Sequence, residues 1–215
     1  MTTTQHCLIR HGETTWNAER RLQGHTDIPL NARGEVQARQ MARALKDAGI
    51  AFDVLYTSDL KRAADTANAV TQLFGVGAKV EAALRERHFG ALQGLSISEA
   101  PLLRPDIWQA HIARDLDHEL EGGESIRQFA LRVQSALDQI QEQHAGKTIL
   151  IVSHGGTLDM MYRIASNQAL STERVVSVPN ASLNWITHQP GDGWIVEQWA
   201  DTRHLESPAL ENVDL

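Results

Sequence analysis

An alternation of short apolar runs with longer segments of helical periodicity constrains the fold most strongly. Residues 5–9 and 148–152 are apolar and partly β-branched, and each run is followed at once by a polar cluster that contains a histidine. Apolar runs of this length, bounded by polar turn residues, predict buried strands. Residues 52–56 are a third candidate strand and residues 79–82 a fourth.

Two helices are predicted in the first half of the chain. Asn31 is a suitable N-cap for a helix whose apolar residues recur every three or four positions and stop at Gly49. Ser58 is the predicted cap of a second helix, which has one apolar face and ends near Gly75. Glycine is favoured at the C-terminus of each of these two helices, because it adopts the left-handed conformation that terminates helices.

Two further helices and a hairpin are predicted in the second half. Ser125 and Gln128 have the spacing of a capping box and open a long amphipathic helix. Another helix is predicted to begin after the pair Gly155-Gly156 and to run to about Ser166. Residues 183–187 and 194–199 alternate around a Gly-Asp-Gly turn, and this pattern predicts an antiparallel hairpin.

Strands that alternate with helices predict an α/β fold with three layers. We expect a mostly parallel central sheet, helices on both of its faces, and the late hairpin. Residues 1–205 are predicted to form a single domain, because one core of this size is ordinary for a chain of 215 residues. Residues 95–123 are predicted to be a helical insertion that covers a site, and residues 206–215 a C-terminal tail.

Charge and cysteine content limit the partners of the chain. A formal net charge of −7 argues against nucleic-acid binding and means that an anionic substrate needs a local cluster of cations. The single cysteine, Cys7, allows no intrachain disulfide and suits a reducing compartment. Because we find no signal peptide and no apolar run of membrane length, we expect a cytoplasmic protein without a membrane partner.

Polar clusters follow four predicted strands, and ligands of open α/β sheets bind beyond the carboxyl ends of strands. His11 follows the first strand and His154 the late one, while Arg62 lies in the first turn of the helix that follows the strand ending at residue 56. Glu86 lies in the cluster Arg85-Glu86-Arg87-His88. The sequence therefore predicts two histidines, several arginines and a carboxylate at one edge of the sheet.

This set of side chains suits metal-free phosphoryl transfer. A phosphate monoester carries two negative charges, and fixed cations such as Arg10 and Arg62 stabilise its transition state. Neutral imidazole is a competent nucleophile, for which His11 is the candidate, and Glu86 is the candidate acid for the leaving alkoxide. Backbone N–H groups at Gly12 and at the glycine pair 155–156 are expected to approach the oxyanion.

Seven ordered blocks make the sequence recognisable. They are residues 8–17 (LIRHGETTWN), 21–24 (RLQG), 27–30 (DIPL) with Gly34, 58–63 (SDLKRA), 84–90 (LRERHFG), 121–125 (EGGES) and 153–155 (SHG). Together they resemble the histidine phosphatase superfamily, which has the fold of phosphoglycerate mutase. The resemblance covers most of the chain.

The resemblance implies a role for each matching residue. His11 would be the phosphorylated nucleophile, and Glu86 would be the proton donor and later the base that activates water. Arg10, Arg62 and His154 would complete the phosphate pocket. The implied substrate-binding residues are Asn17, Gln23, Gly24, Arg87, His88 and Gly155. The family implies neither a metal nor an organic cofactor, and it implies a small phosphorylated metabolite as partner. Whether the chain forms a homodimer stays open.

Alternative functions and simpler interpretations stay open at this stage. A bisphosphate-primed phosphoglycerate mutase is one alternative, but residues 95–123 offer few cations among many carboxylates, so we favour hydrolysis. A catalytically silent binder of phosphorylated ligands is another. Glu86 could instead form an ion pair with Arg85 or Arg87, and Arg62 could pair with an aspartate of its own helix, Asp59 or Asp65.

Overall fold

The computed structural model describes residues 2–174 and 176–211, and its central feature is one six-stranded sheet. The strands are β1 (Thr4–Arg10), β2 (Val54–Thr57), β3 (Ala78–Val80), β4 (Thr148–Ser153), β5 (Leu183–Gln189) and β6 (Gly193–Asp201). Their order across the sheet is β3-β2-β4-β1-β5-β6. The pairs β3-β2, β2-β4 and β4-β1 are parallel, and β5 and β6 add two antiparallel pairs. The predicted mostly parallel sheet with a late hairpin is confirmed.

Seven α-helices and two 3-10 helices lie in the described part of the chain. The α-helices are α1 (Thr15–Ala18), α2 (Ala32–Asp47), α3 (Lys61–Phe74), α4 (Ala100–Leu103), α5 (Pro105–Ile112), α6 (Ile126–Gln143) and α7 (Gly155–Ser166). The 3-10 helices are Ala82–Leu84 and Gly90–Leu92. In this part of the molecule, no helix combines the length and apolar character needed to cross a bilayer.

Alternate residues of the central strands face two separate cores. Leu8 and Ile151 pack in one cluster with residues of α6 and α7, whereas Ile9 and Val152 pack in another with residues of α2 and α3. This alternation follows from the two-residue period of a strand. Because both faces of β1 and β4 are apolar, helices cover the sheet on both sides and the predicted three layers are confirmed.

A third cluster lies outside the sheet and joins the segment 95–123 to the loops near the site. It consists of six buried residues, which are Leu22, Phe89, Leu92, Ala100, Trp108 and Leu120. The short helices α4 and α5 belong to this segment, and we call residues 95–123 with this cluster the cap. Its small core makes the cap a packed element and not a loose loop.

Most predicted helix ends are confirmed, and one is wrong. Asn31 caps α2 by accepting a hydrogen bond from the Gly34 N–H, and Ser125 forms the expected capping box at α6. The prediction for Ser58 was wrong, because α3 begins only at Lys61, after the N-cap Leu60, which makes no side-chain cap. The hydroxyl of Ser58 instead lies against a distant histidine described below.

Three smaller boundaries also differ from expectation. The strand predicted at residues 79–82 is Ala78–Val80, because the side chain of Glu81 accepts from Ala83 N–H and starts a 3-10 helix. The strand predicted at residues 52–56 is Val54–Thr57. Helix α7 includes both glycines of the pair 155–156, since His154 is its N-cap. Because of this earlier start, the N-terminus of α7 lies directly after His154.

Candidate active site

His11 immediately follows β1, and its backbone is held on both sides. Its N–H donates to the carbonyl of Ser153 on β4 at 3.0 Å, and its own carbonyl accepts from the Asn180 amide at 3.0 Å. Ring atom Nδ1 lies 2.7 Å from the carbonyl oxygen of Gly12. Because a carbonyl oxygen only accepts, Nδ1 carries the proton, and Nε2 holds the lone pair that a nucleophile requires.

The ring of His154 lies beside that of His11. The two ring centroids are 5.2 Å apart, and His154 Nε2 is 2.9 Å from the hydroxyl oxygen of Ser58. Burial, followed by the charge of Arg62, holds the pKa of both imidazoles well below its usual range. Both rings are therefore neutral near neutral pH, which is the form that can attack a phosphorus atom.

Arg10 and Arg62 are each 1% exposed and are held by backbone carbonyl groups. Arg10 Nη1 donates to the carbonyl of Val178 at 2.6 Å and to that of Leu210 at 3.4 Å. Arg62 Nη2 donates to the carbonyl of Gly24 at 2.8 Å. A carbonyl partner orients a guanidinium without cancelling its charge, so both cations can act on an anion beside His11.

Glu86 is 2% exposed, and its carboxylate is fixed by two backbone donors. Oε1 accepts from the Arg87 N–H at 2.9 Å, and Oε2 accepts from the Gly156 N–H at 2.8 Å. The Glu86 carbonyl also accepts from His25 Nε2 at 2.8 Å and from Arg132 Nη2 at 3.1 Å. Both the backbone and the carboxylate of this residue are thereby held in one position.

Two of the alternative ion-pair partners, Asp59 for Arg62 and Arg85 for Glu86, contact each other in the structure. Asp59, the alternative partner of Arg62, pairs with Arg85, whose Nε lies 2.7 Å from Asp59 Oδ1. Arg85 is thereby turned away from Glu86. The guanidinium of Arg87 donates through Nε to the carbonyl of residue 124 at 2.9 Å.

The expected role of two glycine N–H groups was wrong. The Gly12 N–H donates to Thr66 Oγ1 at 3.0 Å, and the Gly156 N–H donates to Glu86, so both serve protein groups. Glycine is required at residue 156 for another reason. A Cβ there would lie 2.4 Å from Glu86 Oε1, so any side chain would displace the carboxylate. Gly155 remains the first residue of α7, directly after His154.

Asn17, Gln23 and Gly24 lie in one loop network beside these groups. The Thr14 hydroxyl oxygen is 3.0 Å from both Asn17 Oδ1 and Gln23 Oε1, and both amides are buried. Because the Thr14 N–H donates to Asn17 Oδ1 at 3.0 Å, the NH₂ group of Asn17 points away from Thr14 and is suited to an anion. Gly24 contributes its carbonyl to Arg62 and so positions that cation.

Arg87 and His88 lie on the side of Glu86 that faces the cap. Arg87 Nη1 is 3.5 Å from His111 Nδ1 on α5, and burial lowers the pKa of Arg87 to about 10. The ring of His88 packs against that of His25 at a centroid distance of 4.6 Å. The structure therefore places Arg87 against the cap and His88 against His25, whose Nε2 contacts the Glu86 carbonyl.

Four residues with contacts to the site were missed by the sequence interpretation. Ser58, Asn180, His25 and Arg132 touch His154, His11 or Glu86. Ser58 could have been found, because it directly follows β2 at the same edge of the sheet. Arg132 lies in the middle of α6 on its polar side, and no local pattern distinguishes it from a solvated arginine. Asn180 likewise has no sequence signal.

Within residues 2–174 and 176–211, which the structure describes, no group of three or more histidine, cysteine, aspartate or glutamate side chains is placed to hold a metal ion. The positive charge in the site comes instead from guanidinium groups. The arrangement of a neutral imidazole, two buried cations and a buried carboxyl group can accept a phosphate monoester, attack it and protonate its leaving oxygen.

Comparison with known proteins agrees with this class of site. Residues 6–202 match the model of the histidine phosphatase superfamily (branch 1). The chain belongs to this superfamily. Phosphoglycerate mutase-like protein 4 of Arabidopsis thaliana is 39% identical over 202 residues, which are 93% of this chain and 86% of that protein. The resemblance inferred from seven sequence blocks is thereby confirmed.

Two further relatives are named as phosphatases. The metal-independent phosphoserine phosphatase of Arabidopsis thaliana is 39% identical over 208 residues, which are 95% of this chain and 84% of that protein. The solved phosphoserine phosphatase of Entamoeba histolytica, in complex with 3-phosphoglyceric acid, superposes with a TM-score of 0.83 and 25% identity. The match covers 94% of this chain and 98% of that one. The relatives therefore include two proteins named as phosphatases, one of them a solved structure with this fold, and one named as mutase-like.

Proposed function

We propose that this protein is a metal-independent phosphatase that hydrolyses small phosphate monoesters through a phosphohistidine on His11. The observation that supports it most directly is the 2.7 Å contact from His11 Nδ1 to the Gly12 carbonyl, because it leaves Nε2 as an oriented, neutral nucleophile. The relatives named as phosphatases support the same reaction class. The single cysteine, fully buried, suits the cytoplasm as its location.

The first step transfers the phosphoryl group to the protein. His11 Nε2 attacks phosphorus, a P–N bond forms, and the P–O bond to the leaving group breaks. Arg10, Arg62 and His154 stabilise the equatorial oxygens, with further donors from Asn17, Gln23 and Gly155. The leaving alkoxide takes a proton from the Glu86 carboxyl group and departs as an alcohol.

The second step returns His11 to its starting state. The Glu86 carboxylate accepts a proton from water, whose oxygen attacks phosphorus as the P–N bond breaks. Inorganic phosphate leaves, and Glu86 is protonated again for the next cycle. The two backbone donors from Arg87 and Gly156 keep one carboxyl group in reach of both the leaving oxygen and the water.

A phosphoglycerate mutase is the second candidate, and the name of one relative at 39% identity favours it. In that reaction His11 would be primed by a bisphosphate and would return its phosphoryl group to the bound substrate, so water would be excluded from the second step. The two candidates share the first step and differ only in the acceptor of the phosphoryl group.

The test is phosphate release from a panel of small monoesters in excess EDTA, with isomerisation of 3-phosphoglycerate followed in parallel. We expect release that survives chelation and is lost in His11→Ala, while the exposed His118→Ala control keeps full activity. Acid-labile phosphate on the wild-type protein, absent from His11→Ala, would identify the intermediate. Isomerisation faster than release after bisphosphate priming would establish the mutase instead.

A further inference from the structure

The tautomer of His11 depends on the orientation of one peptide unit. Nδ1 of the ring carries its proton because it lies 2.7 Å from the carbonyl oxygen of Gly12. That carbonyl belongs to the planar unit that joins Gly12 to Glu13, so it turns only when the Glu13 N–H turns with it. A group that binds the Glu13 N–H therefore also holds the acceptor of the His11 proton.

The Glu13 N–H is bound by the side chain of Gln37, on the second turn of α2. It donates to Gln37 Oε1 at 2.8 Å, and Gln37 is 3% exposed. A backbone N–H can only donate, so the amide atom that faces it is the oxygen. Within the described part of the chain, Nε2 of the same amide has no hydrogen-bond partner. The polar contribution of this buried side chain is therefore its acceptor.

Two further contacts with α2 hold neighbouring atoms of the same loop. The Glu13 carbonyl accepts from the N–H of Asn31, the N-cap of α2, at 2.9 Å. Gly12 and Gly34 meet backbone to backbone, since a Cβ on Gly12 would lie 2.4 Å from the Gly34 carbonyl oxygen. Asn31, Gly34 and Gln37 are spaced three residues apart, so they lie on one face of the helix start. The first two turns of α2 therefore support this loop.

Gln37 is the α2 residue that binds the rotating peptide unit itself. The Glu13 carbonyl belongs to the next unit, and the Gly12 N–H, which donates to Thr66 Oγ1 at 3.0 Å, belongs to the preceding one. Glycine at residue 12 places little restriction on the rotation, because it lacks the Cβ that limits other residues. The unit is therefore held between two side chains, with Gln37 on one side and His11 on the other.

We propose that Gln37 is a positioning residue that selects the Nδ1–H tautomer of His11 through the Gly12 carbonyl. Without the Gln37 acceptor the peptide unit can rotate, and a neutral ring that has lost its partner at Nδ1 can carry the proton on either nitrogen. A ring with its proton on Nε2 has no lone pair there and cannot attack phosphorus. The inference rests on the proposed function, in which His11 is the nucleophile.

The direct test reads the tautomer of His11 from ¹H–¹⁵N correlations of its ring in protein labelled with ¹⁵N-histidine. The signals of His11 are those that disappear in His11→Ala. In the wild type we expect the proton on Nδ1. Gln37→Met has nearly the same length but no acceptor, so we expect a mixture of both tautomers. Gln37→Glu retains an oxygen acceptor and should keep the wild-type tautomer.

Two more variants complete the set. Gln40→Met makes the same change one turn later on α2, at a half-buried residue, and is the matched control. Gln37→Asn has an amide that is one carbon shorter and does not span the distance to the Glu13 N–H. It is the second test variant if Gln37→Met does not fold, and we expect the same mixture of tautomers from it.

Single-turnover kinetics on p-nitrophenyl phosphate provide a second readout. In Gln37→Met the rate constant of the first step should fall by about 10- to 100-fold, because fewer rings are competent and those are less well oriented. Substrate affinity should stay within about threefold, since the phosphate-binding arginines are unchanged. Gln40→Met should match the wild type in both constants. Gln37→Glu adds a charge, so only its tautomer is compared.

The outcomes separate this inference from the proposed function. A wild-type His11 ring protonated on Nε2, an unchanged tautomer in the Gln37 variants, or an equal change in Gln40→Met would overturn the role of Gln37. The phosphatase would still stand if phosphate release were lost in His11→Ala. If the wild type hydrolyses no ester in the panel, the phosphatase is wrong, and the tautomer spectra still test Gln37 because they need no turnover.

Discussion

The two ends of the site are built in different ways. At the phosphate end, which consists of His11, His154, Arg10 and Arg62, every residue lies at a strand end or within two turns of a helix start and is at most 3% exposed. At the other end is the small cavity beside Glu86 that Arg87, Arg114 and Arg174 line; there Arg114 and Arg174 come from irregular segments and are partly exposed, with 17% exposure for the Arg174 side chain.

This difference corresponds to a division between the residues of the chemical step and the residues that select the substrate. Groups that must meet a transition state need a fixed geometry, and the ends of buried strands supply it. Groups that recognise the rest of a substrate can lie on irregular segments, which change more easily without damage to the core. The relatives named as phosphatases and as a mutase-like protein share the fold, and the cap side is where we expect such proteins to differ.

The largest effect is expected at Glu86, which borders both ends. Glu86→Gln should lower kcat on alkyl phosphates by about 10²- to 10⁴-fold, because the leaving alkoxide then lacks its proton donor. With p-nitrophenyl phosphate, whose leaving group needs no proton, the variant should release one equivalent of nitrophenol in a burst and then turn over slowly. Stopped-flow absorbance measures this, and equal losses on both substrates without a burst would remove Glu86 from this role.

The next effect compares an arginine from each end with p-nitrophenyl phosphate as the substrate. On p-nitrophenyl phosphate, Arg62→Met should lower kcat/KM by about 10²- to 10³-fold, because two fixed donors to the phosphoryl oxygens are lost. Arg87→Met should stay within about threefold. Steady-state kinetics on both variants, after circular dichroism has shown intact folding, decides the point. Losses of similar size would mean that the two ends do not act separately.

The smallest effect concerns stability and compares a buried histidine of the sheet with one of the cap. Burial lowers the pKa of His6 and that of His111 to about 3, whereas a histidine in the unfolded chain titrates near 6.5. Between these values the unfolded state binds the proton and the folded state does not. Each histidine therefore costs about 1.4 kcal/mol of stability for every pH unit that the pH falls below roughly 6.5.

His6→Leu and His111→Leu are each expected to flatten this pH dependence by that amount. Urea unfolding at pH 7, 6 and 5 provides the slopes, and the two contributions should add, because the residues lie in separate packed regions. A slope that changes for His6 alone would mean that the cap opens before the sheet unfolds, so protonation of His111 would not oppose the main transition.

Much of the fold could be predicted because its signals are local. The strand ending at His11 and the caps at Asn31 and Ser125 depend on neighbouring residues, and the structure agrees with them. Ser58 failed for the opposite reason. Its hydroxyl lies near the start of α3, yet it forms a hydrogen bond with His154, a partner 96 residues away in the sequence.

The candidate site shows the same limit. Its central residues follow strands and carry distinctive side chains, so their meeting at one edge of the sheet could be inferred from topology. The cavity beside Glu86 could not be inferred in this way, because the arginines that line it, Arg87, Arg114 and Arg174, are brought together only by tertiary packing. The contact of Gly156 with Glu86 was also out of reach, since it depends on where a carboxylate lies in space.

The long-range contacts of Arg10 have a consequence for the order in which the protein is made. Arg10 and His11 leave the ribosome long before Val178, Asn180 and Leu210, the residues that hold them in the folded protein. A nascent chain that has not yet presented Val178, Asn180 and Leu210 therefore has its nucleophile but lacks these three contacts. Activity should appear late and all at once, so interrupted translation products would be inert toward cellular phosphate esters.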